Sequence, residues 1–149
     1  MQITPVILAG GIGTRLWPIS RKNYPKQFSK IFGDRTLFQE TLSKFSGSNE
    51  VEFSDIITLT NSEFRFIVAE QMEEVNIRPG PILIEPYSKN TAPAILAATL
   101  KIFEKDKDGV LIVTPSDHIV PDKKEFLKAI RVAKDIAEEG KLVTFGVKP

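Results

Sequence analysis

Cysteine is absent from the 149 residues, which excludes disulfides and thiolate chemistry and is compatible with a reducing compartment such as the cytoplasm. Charge of one sign is also lacking. The formal net charge is +1, so nothing draws the whole chain toward nucleic acid or a membrane surface, and any anion site must be local. No apolar run approaches the roughly 18 residues of a membrane span. The N-terminus has neither a basic region nor a long apolar one, so no signal peptide is expected. Internal repeats and low-complexity tracts are missing too. What is present is ordinary for a globular protein: 42% hydrophobic and 26% charged residues. The length corresponds to one domain that buries roughly 70% of its unfolded surface.

One stretch is not ordinary. Val6-Ile7-Leu8 ends in Ala9-Gly10-Gly11-Ile12-Gly13-Thr14-Arg15, a buried strand delivering a glycine-rich loop. Such loops present backbone N–H groups to phosphate, and glycine lets a ligand approach the main chain closely. Arg15 adds a fixed fork of donors and Lys26 a mobile point charge. No helical or alternating pattern returns until about residue 35, and structureless loops of that length are usually functional. The plain alternative is a tight turn between two elements. Two familiar phosphate loops are excluded. No Lys-Ser or Lys-Thr follows the glycines, as Walker A requires, and the third glycine of G-x-G-x-x-G is replaced by Leu16.

Downstream, short apolar runs alternate with amphipathic segments. Thr36 to Gln39 reads as a capping box, with Phe38, Leu42 and Phe45 forming an apolar stripe. Ile56–Leu59 and Ile82–Ile84 read as strands, separated by a helix capped at Asn61 or Ser62 with Phe66, Ile67 and Met72 apolar. A helix starts at Asn90 or Thr91, tolerating Pro93 in its first turn, with Ile95, Ala98 and Ile102 facing inward. Val110–Val113 is a fourth strand. Asp122 and Glu125 suit a second capping box, and Gly140 stops that helix before a fifth strand, Leu142–Phe145. The pattern predicts a Rossmann-like, doubly wound α/β domain with a mostly parallel sheet. Periodicity leaves the strand order open.

The unusual words all follow strands: the glycine loop, Glu85-Pro86, and Pro115-Ser116-Asp117-His118. In open α/β sheets, ligands bind outside the carboxyl ends of the strands, so these three segments are expected to converge on one crevice. Asp117 is either a divalent-cation ligand opposite the phosphate loop or the cap of the next turn, and its position favours the first. His118, the only histidine, is read as structural, and Trp17 as a packing anchor. Asn90 and Thr91 can cap their helix, contact a nucleobase, or do both.

The wording of the first loop is more specific than its glycines. Gly10-Gly11-Ile12-Gly13-Thr14-Arg15-Leu16-Trp17-Pro18-Ile19-Ser20-Arg21, followed by Pro25-Lys26-Gln27-Phe28, resembles the signature of sugar-1-phosphate nucleotidylyltransferases, in the wording of their mannose-1-phosphate guanylyltransferase branch. Glu85-Pro86-Tyr87-Ser88-Lys89-Asn90-Thr91-Ala92-Pro93-Ala94 resembles that branch's nucleotide-site segment. Pro115 to His118 resembles its Pro-Ala-Asp-His string, with Ser116 in place of alanine. The closing Thr144 to Pro149 resembles a segment that normally continues into a sugar-binding half.

The resemblance implies a reaction of GTP with mannose 1-phosphate, dependent on Mg²⁺, giving GDP-mannose and pyrophosphate. Residues 1–149 would form the nucleotide-binding part of the catalytic domain. It implies nucleotide contacts from Leu8, Ala9, Gly10, Gly11, Gly13, Thr14, Arg15, Glu85, Asn90, Thr91 and Asp117, catalytic roles for Arg15 and Lys26, and metal binding by Asp117. Glu85 has the acceptors to read guanine N1–H and N2–H₂. Neither nucleic acid nor a membrane is expected as a partner. A terminal strand would leave an edge that a second copy could cover, so a homo-oligomer is compatible with the sequence. Two alternatives stand beside this reading: a GTP-binding module without turnover, and a nucleotidylyltransferase for another nucleotide or sugar phosphate.

Overall fold

The computed structural model describes residues 2–11, 24–31, 33–47, 50–87 and 89–146. Four strands, β1 (Ile3–Leu8), β2 (Ile57–Asn61), β3 (Ile82–Glu85) and β4 (Val110–Pro115), form one sheet in the order β3-β2-β1-β4. Every pairing is parallel. The chain builds outward from β1 to β2 and β3, then returns to place β4 on the other side of β1. The switch point therefore lies between β1 and β4, and the doubly wound α/β class is the observed one.

Alternation along β1 separates two cores. Ile3 and Ile7 face a large cluster with Phe28, Phe38, Leu42, Val68, Met72, Leu127 and Ile130, so α1 (Leu37–Ser43), α2 (Arg65–Glu74) and α4 (Lys123–Glu138) pack on that face. Val6 faces a smaller cluster with Ile57, Leu59, Ala94, Ala98 and Ile102, so α3 (Thr91–Phe103) covers the other. The outer side of α3 leaves Leu96, Leu100 and Phe103 exposed. No helix among the described residues is long and apolar enough to cross a membrane.

Local chemistry explains where the helices begin. Thr36 accepts from the Gln39 amide while the Gln39 side chain accepts from Thr36 N–H, the complete capping box expected. Asp122 accepts from the amides of Lys124 and Glu125. Asn61 accepts from the amides of Glu63 and Phe64 in a turn that precedes α2 rather than capping it. Gly140, at φ +80°, ends α4 in the left-handed region that side chains resist.

Two further expectations fail. Leu142–Phe145 forms no strand, and Leu142 is fully exposed, because an apolar run becomes a strand only when an edge and a covering layer receive it. Phe66 points outward beneath the Arg65 guanidinium, 4.2 Å from its ring centre. Met72 is buried as expected and Ile67 packs partly buried against the core, with Val68 and Gln71 completing the inner face of α2.

Candidate nucleotide site at the carboxyl ends of the strands

A cavity of about 320 Å³ opens where β1, β3 and β4 end. Leu8, Gly10 and Gly11 line it from the first strand, Glu85 from the third, Pro115, Ser116 and Asp117 from the fourth, and Asn90, Thr91 and Ala94 from the start of α3. Lys26 and Gln27 enter from a short 3₁₀ turn, Lys26–Phe28. The three segments expected to converge thus meet in one crevice. Gly13, Thr14, Arg15 and Trp17 lie outside the described residues.

The glycine loop is held by residues the sequence reading left without a role. Buried Gln27 donates through Nε2 to the carbonyls of Gly11 at 2.8 Å and Ala9 at 3.4 Å. The turn that carries Gln27 is itself anchored, since Gln71 donates to the Phe28 carbonyl at 3.0 Å and accepts from Thr36 Oγ1 at 2.7 Å. Buried polar groups of this kind are stabilising only when their bonds are made, and here they chain the loop to α1 and α2. A Pro-Lys-Gln-Phe word beside a glycine loop was the available signal; the partners of its glutamine were not readable.

Gly10 and Gly11 do different things. A Cβ at Gly10 would lie 2.5 Å from Glu85 Oε2, so the missing side chain admits the Glu85 carboxylate against the main chain. Gly11 has nothing within 4 Å of its Cβ position and opens to the cavity. Ala9 does not reach the cavity surface. It is buried, and its amide donates to the Leu59 carbonyl at 2.7 Å, so that N–H is unavailable to a phosphate. The sequence placed Ala9 inside a loop, whereas the sheet bond continues through it.

Charge is distributed unevenly around the cavity. Lys26 Nζ lies 2.6 Å from Asp117 Oδ2, both side chains about one-quarter exposed. This ion pair links the 3₁₀ turn to the segment that follows β4. Partial desolvation pushes the Glu85 carboxyl above the usual carboxylate range. Behind Asp117, Lys44 is buried and donates to the His118 carbonyl. Its burial lowers the ammonium pKa from the ordinary lysine value, while the carboxylates of Glu40 and Asp117 pull it back up.

Asn90 precedes α3 at φ 63° and ψ −161°, a backbone region that is otherwise almost exclusive to glycine and that costs of order 1–3 kcal/mol. Its side chain makes no capping bond. Capping therefore does not account for this residue, and its strained backbone sits on the cavity rim. Thr91 opens the helix, exposed on the same rim. The unpaired first-turn amides of a 13-residue helix favour negative charge there.

No group of three or more His, Asp or Glu side chains among the described residues is arranged to enclose a metal ion. A metal ion that takes most of its shell from substrate and water needs fewer protein ligands than such a group. Mg²⁺ is commonly held by one or two carboxylates with substrate phosphates completing its shell. Asp117 offers one such carboxylate at the cavity wall.

Residues 4–149 match the Nucleotidyl transferase family. The chain is 46% identical over 148 residues to the xanthan biosynthesis protein XanB of Xanthomonas campestris pv. campestris, covering 99% of this chain and 31% of that protein. It is 45% identical over 148 residues to a mannose-1-phosphate guanylyltransferase of Escherichia coli, with the same coverage of 99% and 31%. The chain thus spans about a third of the length of the curated relatives it matches. Among solved structures, a mannose-6-phosphate isomerase from Helicobacter pylori superposes with a TM-score of 0.79 at 33% identity, over 100% of this chain and 51% of that one. With a parallel α/β sheet, a glycine loop at its switch point and a family match over nearly every residue, the chain belongs to the nucleotidyl transferase family.

Proposed function

We propose that residues 1–149 are the nucleotide-binding part of an enzyme that transfers GMP from GTP to mannose 1-phosphate. The observation that carries this reading is the single cavity gathering a glycine loop, the Lys26–Asp117 pair, Glu85 and the start of α3. The similarity to a mannose-1-phosphate guanylyltransferase supports the choice of nucleotide and sugar. A cytoplasmic location belongs to the same proposal and accords with a cysteine-free chain.

In the proposed reaction, a phosphate oxygen of mannose 1-phosphate attacks the α-phosphorus of GTP. The bond from that phosphorus to the bridging oxygen breaks in line, and pyrophosphate leaves. The attacking group is already anionic, so no general base is required. Gly10, Gly11, Gly13 and Thr14 would direct main-chain amides to the phosphates, and Arg15 would bind the oxygens on which charge accumulates. Lys26 would leave Asp117 to hold the α-phosphate or the incoming phosphate. Glu85 would accept from guanine N1–H and N2–H₂, with Asn90 and Thr91 beside the base. A Mg²⁺ ion held by Asp117 would supply charge neutralisation across the phosphates. The chain's own contribution is positioning and electrostatics.

Calorimetric titration with GTP, with and without Mg²⁺ and with ATP and UTP as controls, tests the nucleotide assignment. Selective, magnesium-assisted GTP binding is expected. Equal binding of all three nucleotides would refute guanine selectivity. Pyrophosphate release on adding mannose 1-phosphate separates an enzyme from a binding module, which would release none.

A further inference from the structure

We infer that Lys44 is a positioning residue for this site: from the C-terminal end of α1, its ammonium holds the turn that carries Asp117. The inference rests on the reading of Asp117 as a nucleotide-site residue.

Between β4 and α4 the chain runs from Ser116 to Asp122 without regular structure. Its start is fixed by the sheet, because the Ser116 amide donates to the Leu8 carbonyl at 3.1 Å. Its far end is fixed by Lys123, whose Nζ donates at 2.6 Å to the carbonyls of both Ser43 and Ser46. Lys44 lies between those two acceptors in sequence and reaches the opposite way, donating to the carbonyl of His118. The end of α1 and the Asp117 turn are thus stitched reciprocally, one lysine from each side.

Without Lys44, Asp117 keeps its own pair with Lys26 and lies beside the anchored Ser116, but the turn beyond it has no described tether until Asp122 caps α4. Removing that freedom helps to hold the carboxylate where it meets the lysine. The chemistry of the position points the same way. A buried ammonium is costly to desolvate, and a packed apolar side chain would avoid that cost. Lys44 instead takes a main-chain acceptor and faces the carboxylates of Glu40 and Asp117. Its reach and its charge are both used at one place, next to the site.

Lys44→Met keeps the stem and removes the donor, and Lys44→Arg restores charge and donors. Amide hydrogen exchange is the direct readout. Exchange of the hydrogen-bonded Ser116 amide, at the start of the turn, should rise about tenfold or more in Lys44→Met and return toward the native rate in Lys44→Arg, with β1 and α2 unchanged in both. The magnesium-dependent increment in GTP affinity should fall about tenfold in Lys44→Met and largely recover in Lys44→Arg. Unchanged exchange at Ser116, or a uniform rise that includes α2, would overturn the inference. Should Lys44→Met fail to fold, Lys44→Gln is read by the same criteria. A wild-type chain that binds no GTP would refute the nucleotide-site reading in this chain, while the exchange data still decide the role of Lys44.

Discussion

The sheet has a cavity at each end, and the two are similar in size. The one at the carboxyl ends measures about 320 Å³ and the one at the amino ends about 350 Å³. Their chemistry is unlike. At the amino end, Gln2 donates to Glu52, Ser54 donates to Thr4, and Lys101 pairs with Glu104. Those polar groups are spent on their neighbours, and the C-terminal end of α3 adds carbonyls rather than amides. At the carboxyl end, a glycine opens to the cavity, a strained asparagine carries no capping bond, and a lysine from the 3₁₀ turn meets an aspartate from the turn after β4. Volume alone therefore identifies no site here; convergent chemistry does.

Substitutions can sharpen or break that contrast. The largest effect on binding is expected from Lys26→Met, which removes a charge-assisted donor worth roughly 1.5–3 kcal/mol, a loss of about ten- to a hundredfold in GTP affinity by calorimetry. Native affinity in that variant would detach Lys26 from the nucleotide. Gly80→Ala should have the largest effect on stability at the amino end, because its Cβ would meet the Ile56 carbonyl oxygen at 2.3 Å. A destabilisation of about 1–3 kcal/mol by urea titration is expected, with GTP affinity of the folded fraction unchanged.

Gln27→Leu should reach across both properties. It strands the Gly11 carbonyl, costing about 1–3 kcal/mol of stability, and a loosened loop should weaken GTP severalfold. Glu85→Gln should be subtler. Burial raises the Glu85 pKa, so its carboxyl favours folding while protonated, and that contribution fades as pH rises through the folded-state value. The glutamine variant should therefore melt slightly higher than wild type at pH 7 and alike near pH 3.5. A variant less stable at pH 7 would reverse the sign. Lys105→Ala, beside the amino-end cavity, should change neither GTP binding nor melting by more than experimental scatter.

Much of this arrangement was legible in the residues. Apolar runs located all four strands, and punctuation by Thr36, Asp122 and Gly140 located helix ends, because those signals act within a few residues. Strand ends then indicated where Gly10, Glu85 and Asp117 would gather. What escaped detection was long-range. Gln27 acts through the carbonyls of Ala9 and Gly11, and Gln71 through Phe28; a sequence records neither partner. Lys44 reads as one more charge on an amphipathic helix, and only packing shows it buried. Leu142 to Phe145 shows the reverse, an apolar run whose local preference meets no sheet edge.

The order β3-β2-β1-β4 also sets when the site can exist. β1 pairs Ile3 with Val110 and Leu8 with Pro115, joining the first described strand to the last. Closing that span carries a greater entropic cost than the nearer pairings of β1 with β2 and of β2 with β3. The cavity needs Asp117 on one side of that junction and Gly11 on the other. A growing chain can therefore complete its first three strands and α3 and still lack this cavity until β4 emerges and docks.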